Sequence, residues 1–216
     1  MFIKNCLTPI RELTLLKSGS LIGEALDRMK EVNVFSLPVV DQEGNFIGIL
    51  SKQSMFDYLE KNADQLSFSE FRNKPIDECI DESAKLFVDI EKGHFEDLLP
   101  IIVRHPFVPI VEEGKQFIGI VKRSAIQRAL ESSFGLHVPG VRLMIAVDDT
   151  EGTLLGISQI IYKHDVNIIA SVAFEAGDSF VRRIMMKLEK NEVMDKILRE
   201  LDAHGYRVLE VSYDEE

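Results

Sequence analysis

Tryptophan is absent from the 216 residues, and cysteine occurs only twice, at Cys6 and Cys79. Neither cysteine sits in a Cys-x-x-Cys pair, which removes the commonest zinc and redox motifs. Two buried free thiols are expected, as in a cytoplasmic chain. The five histidines (His94, His105, His137, His164 and His204) fall at no metal-binding spacing, so no metal site is expected. No run of about eighteen apolar residues is present, so no spanning helix and no membrane partner are expected. The opening stretch, broken by Asn5 and Pro9, is too short for a signal peptide. Basic residues are in deficit, 25 Lys and Arg against 36 Asp and Glu, a net charge of −11. That balance argues against a nucleic-acid partner. A small anionic ligand stays compatible with it, because a local pocket can oppose the global charge. G-x-S-x-G, Walker A and G-x-G-x-x-G are all missing, and no nucleophile–base constellation stands out, so no catalytic residues are assigned and the chain is not read as an enzyme.

What is present is a repeat. Leu37 to Lys52 (LPVVDQEGNFIGILSK) returns 71 positions later as Val108 to Arg123 (VPIVEEGKQFIGIVKR). Each copy has a proline leading an apolar run (Pro38, Pro109), an acidic turn, and a second apolar run whose glycine (Gly48, Gly119) stands ten positions after the proline. Conserved internal spacing marks one supersecondary unit used twice.

The first copy reads as strand, helix, strand, strand, helix. A short strand is expected over Leu13–Leu16. Ser20 is positioned to cap a helix carrying Ile22, Ala25, Met29 and Val32. After the hairpin comes a helix from about Ser51 to Asn62. Asn62 to Lys74 reads as a polar connector with Phe68 and Phe71 as packing points. The second copy starts at Pro75 and is five residues longer before its central proline, with the extra length assigned to a loop around Val88–Gly93. Pro100 predicts a kink or a late start in the following helix. A Gly- and Pro-containing stretch, Glu131–Gly140, marks a boundary. Beyond it a strand (Arg142–Val147), a helix with Leu154, Ile157, Ile160 and Ile161 apolar, a hairpin turning at Glu175–Asp178 with its second strand from Phe180 to Leu188, a helix stopped by Gly205 and a last strand give the order βαββαβ, which is ferredoxin-like.

The duplicated unit resembles the CBS domain, on Leu37-Pro38-Val39-Val40-Asp41 with Gly48-Ile49-Leu50-Ser51, and on Val108-Pro109-Ile110-Val111 with Gly119-Ile120-Val121. The pair resembles a CBS tandem, or Bateman module. The C-terminal segment resembles an ACT domain, on Asp149-x-x-Gly152-x-Leu154 and Asp165-Val166-Asn167-Ile168; the family's proline before the glycine is Glu151 here. The implied fold class is α+β: CBS unit 1 over residues 1–61, CBS unit 2 over 74–132 and a ferredoxin-like ACT domain over 138–214. The arrangement is similar to AcuB-like acetoin-utilisation proteins and to CBS proteins of Gram-positive bacteria that bind cyclic di-AMP.

The resemblance implies adenine-nucleotide clefts between the two units. One would combine Thr14, Val34, Phe35 and Ser36 with Phe107, Lys122 and Ser124. The other would combine Ile80, His105, Pro106 and Phe107 with Ser36, Ser51 and Ser54. The family's ribose-binding aspartate is replaced by Ser54 and Ala125. A ligand with partly esterified ribose hydroxyls, such as a cyclic dinucleotide, needs that carboxylate less and would gain from Lys122 and Arg123. Each position also has a plainer reading: serine at a helix start is a cap, Lys122 a solvated lysine, and Phe35 and Phe107 core aromatics. In the ACT segment the resemblance points to Asp149, Gly152 and Asn167 at an amino-acid site or subunit interface, with a turn or cap role as the plainer reading for Asp149.

The leading expectation is therefore a cytoplasmic, non-enzymatic ligand sensor. It takes an adenine nucleotide or cyclic di-AMP as regulatory ligand, needs no cofactor, forms a homodimer or higher homo-oligomer, and signals to a target protein that the sequence does not name. The alternatives are a dimeric adaptor whose clefts have lost ligand, and an amino-acid sensor acting through the ACT domain.

Overall fold

A computed structural model describes residues 3–81, 87–175, 177 and 181–214. The chain divides into two units, before and after the Gln127–Arg128 bond.

The first unit holds both copies of the repeat, each built on a hairpin. In the first copy β3 (Ser36–Val40) pairs with β4 (Phe46–Ser51), and in the second β6 (Phe107–Glu112) pairs with β7 (Gln116–Lys122). A two-residue strand adds parallel to each hairpin: β2 (Leu16–Lys17) on β3, with Leu16 opposite Val39, and β5 (Val88–Asp89) on β6, with Val88 opposite Ile110. Each repeat proline stands one position ahead of that parallel pairing, where its missing N–H interrupts no ladder. In the first turn Asn45 donates to both carboxylate oxygens of Asp41, each at 2.8 Å. The side-chain bond from Asn45 is the main reason the Asp41 carboxyl lies below its usual range.

The copies exchange their leading segments. Strand β1 (Leu7–Pro9), which precedes the first copy, pairs antiparallel with β7 of the second, Pro9 opposite Gly119. The segment that precedes the second copy returns the exchange. Asp81 and Ile49 trade N–H···O bonds of 2.9 and 3.2 Å, and Ile76 and Cys79 are buried in the core of the first copy beside Leu16, Met29 and Leu50. The two repeat glycines are where these crossings occur. A Cβ on Gly48 would lie 2.4 Å from the Asp81 carbonyl oxygen, and one on Gly119 would lie 2.3 Å from that of Thr8. The hairpin tips meet reciprocally as well: Phe46 N–H donates to Lys115 at 2.9 Å, Phe117 N–H donates to Gly44 at 3.2 Å, and the Phe46 and Phe117 rings stack at 5.8 Å. These partners are equivalent repeat positions, so a local two-fold axis runs between the tips.

Several expectations need correction. Ser20 does not cap α1 (Ile22–Glu31). The N-cap is Leu21, and the exchanged segment does the capping: Ile22 N–H donates to Lys74 O and Ile76 N–H to Ser20 O, both at 2.9 Å. The first strand is Leu16–Lys17 and not Leu13–Leu16. Val88–Asp89 is a strand and not part of an added loop, so the extra length of the second copy falls before it. The connector contains a short helix, α3 (Phe68–Arg72), whose Ser67 and Glu70 form a reciprocal capping box; it buries Phe71 and leaves Phe68 exposed. Helix α2 is Lys52–Lys61, and α4 (Leu98–Ile102) starts late, with Pro100 in its first turn, where an N–H has no partner to lose. Helix α5 (Arg123–Ser133) buries Ile126 and Ala129, with Leu130 largely outside.

The second unit is a four-stranded antiparallel sheet, order β11-β8-β10-β9, with β8 Val141–Asp148, β9 Ile168–Glu175, β10 Val181–Leu188 and β11 Arg207–Tyr213. With α6 (Thr153–Lys163) after β8 and α7 (Met194–Ala203) after β10, this is the ferredoxin-like βαββαβ arrangement, and the class is α+β. One sheet face supplies Leu143, Ile145, Ile184 and Met186 to a core shared with Ile157, Ile161, Ile197 and Leu201. Of the four apolar residues expected along α6, Leu154 is half exposed. On the opposite face Lys187, 4% exposed, donates to Gly135 O at 2.9 Å and pairs with Asp214 at 2.6 Å. The bond from Lys187 holds the Asp214 carboxyl below the usual range. The expected turn over Glu175–Asp178 and the Phe180 strand start fall partly on residues 176 and 178–180, outside the described residues.

Two predictions follow from the crossings. Gly48→Ala and Gly119→Ala each lower stability in urea denaturation by about 1–3 kcal/mol, because neither contacting carbonyl can retreat without breaking its strand pairing; an unchanged midpoint would show that the crossings are loose. Burial pushes the Cys79 thiol from 9.0 up to about 11. Its thiolate is more accessible in the unfolded chain, so this stabilisation is whole below pH 9.0 and is lost as pH rises towards 11. In thiol titration at pH 8, Cys6 reacts first and Cys79 only as the protein unfolds.

Candidate functional site

A cavity of about 590 Å³ lies in the first unit between the two copies of the repeat. One wall comes from the first copy. There α1 ends in a Schellman motif: Asn33 takes the left-handed conformation (φ 52°), Val34 N–H reaches back to Met29 O at 2.9 Å and Asn33 N–H to Lys30 O at 3.3 Å. Val34 packs on the core that contains Met29, which fixes the backbone of Phe35 and Ser36 at the cavity. The stretch before β2 adds Glu12, Leu13 and Thr14 to this wall. The second copy supplies Pro106, Phe107, Ile120 and Lys122 and the opening residues of α5, Arg123 and Ser124.

The two aromatics differ. Phe107 is 6% exposed and belongs to a cluster with Val40, Ile49, Phe117 and Ile120. Phe35 is 70% exposed, and Lys52 Nζ lies 4.8 Å from its ring centroid. Phe107 therefore forms an apolar floor, and Phe35 is an open ring beside a cation.

The cations differ as well. Arg123 Nη2 donates to the carbonyl oxygens of Ile102 and His105, both at 3.1 Å, closing the end of α4. Lys122 is exposed and makes no ion pair with any described residue. It stands directly before α5, an 11-residue helix with no acidic residue in its first turn, so the helix presents its positive end beside the Lys122 ammonium. This local field opposes the net −11 of the chain.

Thr14, Val34, Phe35, Ser36, Phe107, Lys122, Arg123 and Ser124 thus line one cavity, and Pro106, expected in the second cleft, lines the same one. In the second set Ser36 stands opposite Ser51 in the β3–β4 pairing. Ser51 and Ser54 cap α2 reciprocally, Ser54 N–H on Ser51 Oγ at 2.9 Å and Ser51 N–H on Ser54 Oγ at 3.1 Å. His105 gives its carbonyl to Arg123. Ile80 packs against the core of the first copy. Because Val88 corresponds to Leu16 by register, the counterpart of Thr14 is position 86, outside the described residues. Glu12, Asn33 and Lys52 are additions that counting from the proline and glycine did not reach.

In the second unit Asp149 Oδ1 pairs with Arg182 Nε at 2.9 Å, and Gly152 is the left-handed N-cap of α6 (φ 81°). Asn167 precedes β9 at the far end of the sheet: Asp148 is opposite Val181, whereas Ile168 is opposite Leu188. Within one chain these three residues do not form a site.

Solved structures share the fold. A CbpB solved in complex with c-di-AMP matches at 20% identity and TM-score 0.53, over 61% of this chain and 85% of its own. A CBS domain protein from Streptococcus pneumoniae TIGR4 matches at 22% identity and TM-score 0.53, over 59% and 85%. A CBS domain-containing protein from Bacillus anthracis str. Ames Ancestor matches at 20% identity and TM-score 0.53, over 61% and 93%. The CBS domain family itself matches residues 6–61, the segment that carries β1, the first hairpin and α2. That match and the hairpin geometry together make residues 6–61 a CBS-type unit.

Proposed function

We propose that the protein is a non-enzymatic, cytoplasmic ligand sensor that binds an adenine nucleotide in the cavity between the two copies of the repeat, with cyclic di-AMP as the leading candidate. The observation that carries this reading is the make-up of the cavity: both copies contribute walls, and its open aromatic, unpaired lysine and helix N-terminus suit a base and a phosphate. A ligand held between two copies favours whichever arrangement of them it fits better, which is the physical content of sensing. The CbpB complex with c-di-AMP supports the choice of nucleotide by likeness of fold. A missing ribose carboxylate suits a ligand whose ribose is esterified.

In this reading residues 1–61 and 74–132 act as the CBS units, and 138–214 as an ACT-like domain that joins two copies into a homodimer and presents the response to a target protein. The separation of Asn167 from Asp149 and Gly152 within one chain fits an ACT-like segment that completes its surface only against a second copy.

Calorimetric titration with cyclic di-AMP tests the reading. Lys122→Ala weakens binding about tenfold or more, the loss of one charge-assisted phosphate contact, and leaves stability unchanged. Arg123→Ala lowers stability by about 1–3 kcal/mol through the orphaned carbonyls of Ile102 and His105. Equal affinity in wild type and Lys122→Ala would remove the phosphate role of Lys122, and no binding of any adenine nucleotide would remove the reading.

A further inference from the structure

We propose that Glu12 sets an upper limit on the charge of the nucleotide the cavity accepts, so that the site takes a ligand with about two negative charges and rejects a triphosphate. The inference deepens the nucleotide-binding reading and rests on it.

The charged groups on the cavity wall are three: Glu12 from the first copy, and Lys122 and Arg123 from the second. The guanidinium of Arg123 turns its Nη2 donor to the Ile102 and His105 carbonyls, which leaves Lys122 as the cation that can follow a phosphate. Glu12 sits on the opposing wall, beside Leu13 and Thr14, at the end of a short 3-10 turn. Its ion partner is the adjacent Arg11 at 3.7 Å, a contact exposed on both sides and therefore weak. The wall thus offers two positive charges and one carboxylate. A monophosphate or a cyclic dinucleotide, with two negative charges or fewer, can place them against Lys122 and the N-terminus of α5. Each further phosphate must extend away from that end, bringing added negative charge towards the Glu12 carboxylate, where the nearby cations are Arg11, already facing Glu12, and Lys52, held over the Phe35 ring.

This gate differs from a steric one. A limit set by size is indifferent to ionic strength, whereas repulsion between Glu12 and extra phosphates is screened by salt. It also sits on a residue outside the core, so the side chain can change without disturbing the fold.

The test is a titration panel of AMP, ADP, ATP and cyclic di-AMP on the full chain, wild type and Glu12→Gln, at low and at high salt. In the wild type AMP or cyclic di-AMP binds at least about tenfold more tightly than ATP, and the gap narrows as salt is raised. In Glu12→Gln the gap shrinks at least about fivefold at low salt, with an unchanged unfolding midpoint. ATP binding as tightly as AMP in the wild type, or a gap that Glu12→Gln leaves intact, overturns the charge limit while sparing the nucleotide site. Silence across the whole panel overturns both.

Discussion

A carbonyl oxygen lying where a side chain would otherwise begin is the constraint on which the first unit depends. At Gly48 the oxygen belongs to Asp81, and at Gly119 to Thr8. Each comes from the segment that leads into the other copy, so the two glycines admit a reciprocal exchange of backbone. Once those segments are in place the rest follows. The second copy's leader delivers Ile76 and Cys79 to the first core and caps α1, and the first copy's leader completes the sheet of the second. The cavity exists because the exchange holds the two hairpins face to face, with Phe107 and Ile120 at its floor.

Symmetry of backbone here accompanies asymmetry of chemistry. The local two-fold relates Phe46 to Phe117 and the Lys52 N–H bond to Phe35 with the Arg123 N–H bond to Pro106. At the ends of the hairpins the copies part. Ser51 closes a helix cap with Ser54, whereas its counterpart Lys122 remains exposed beside a helix start. Phe35 lies open where its neighbour in the alignment, Phe107, is buried. The duplicated scaffold thus carries different chemistry at its two helix starts, an exposed Lys122 at one and Ser51 held in a cap at the other.

Most of the strands and helices could be read from the sequence because they rest on local pattern: the proline-to-glycine spacing, the apolar alternation, the helical stripe at Ile157, Ile160 and Ile161. The exchange could not, since pairing between Leu7 and Val121 leaves no mark in either stretch. It also explains the error at Ser20, whose capping role was taken by Lys74 from 54 positions away. The helix at Phe68 was readable from Ser67-x-x-Glu70 and was passed over as polar connector. At the cavity, the residues expected at strand ends and helix starts rest on the family resemblance carried over by position. For Ile80 the register differs from that carry-over: Val88 is the counterpart of Leu16, so position 86 is that of Thr14. Glu12 carries no motif and is visible only once Thr14 has a wall to stand on.

The exchange of leading segments bears on how the chain acquires its structure during synthesis. Strand β1 is made well before its partner β7, which lies more than a hundred residues later, so β1 stays unpaired until nearly the whole first unit has emerged. The first hairpin likewise lacks Ile76 and Cys79 from its core until the segment beyond its own last helix arrives. Neither copy can close alone, and loop closure across such distances is slow compared with local hairpin formation. The duplication therefore behaves as a single cooperative folding unit with a late, topologically determined final step, and a nascent chain stopped between the copies presents open sheet edges to its surroundings.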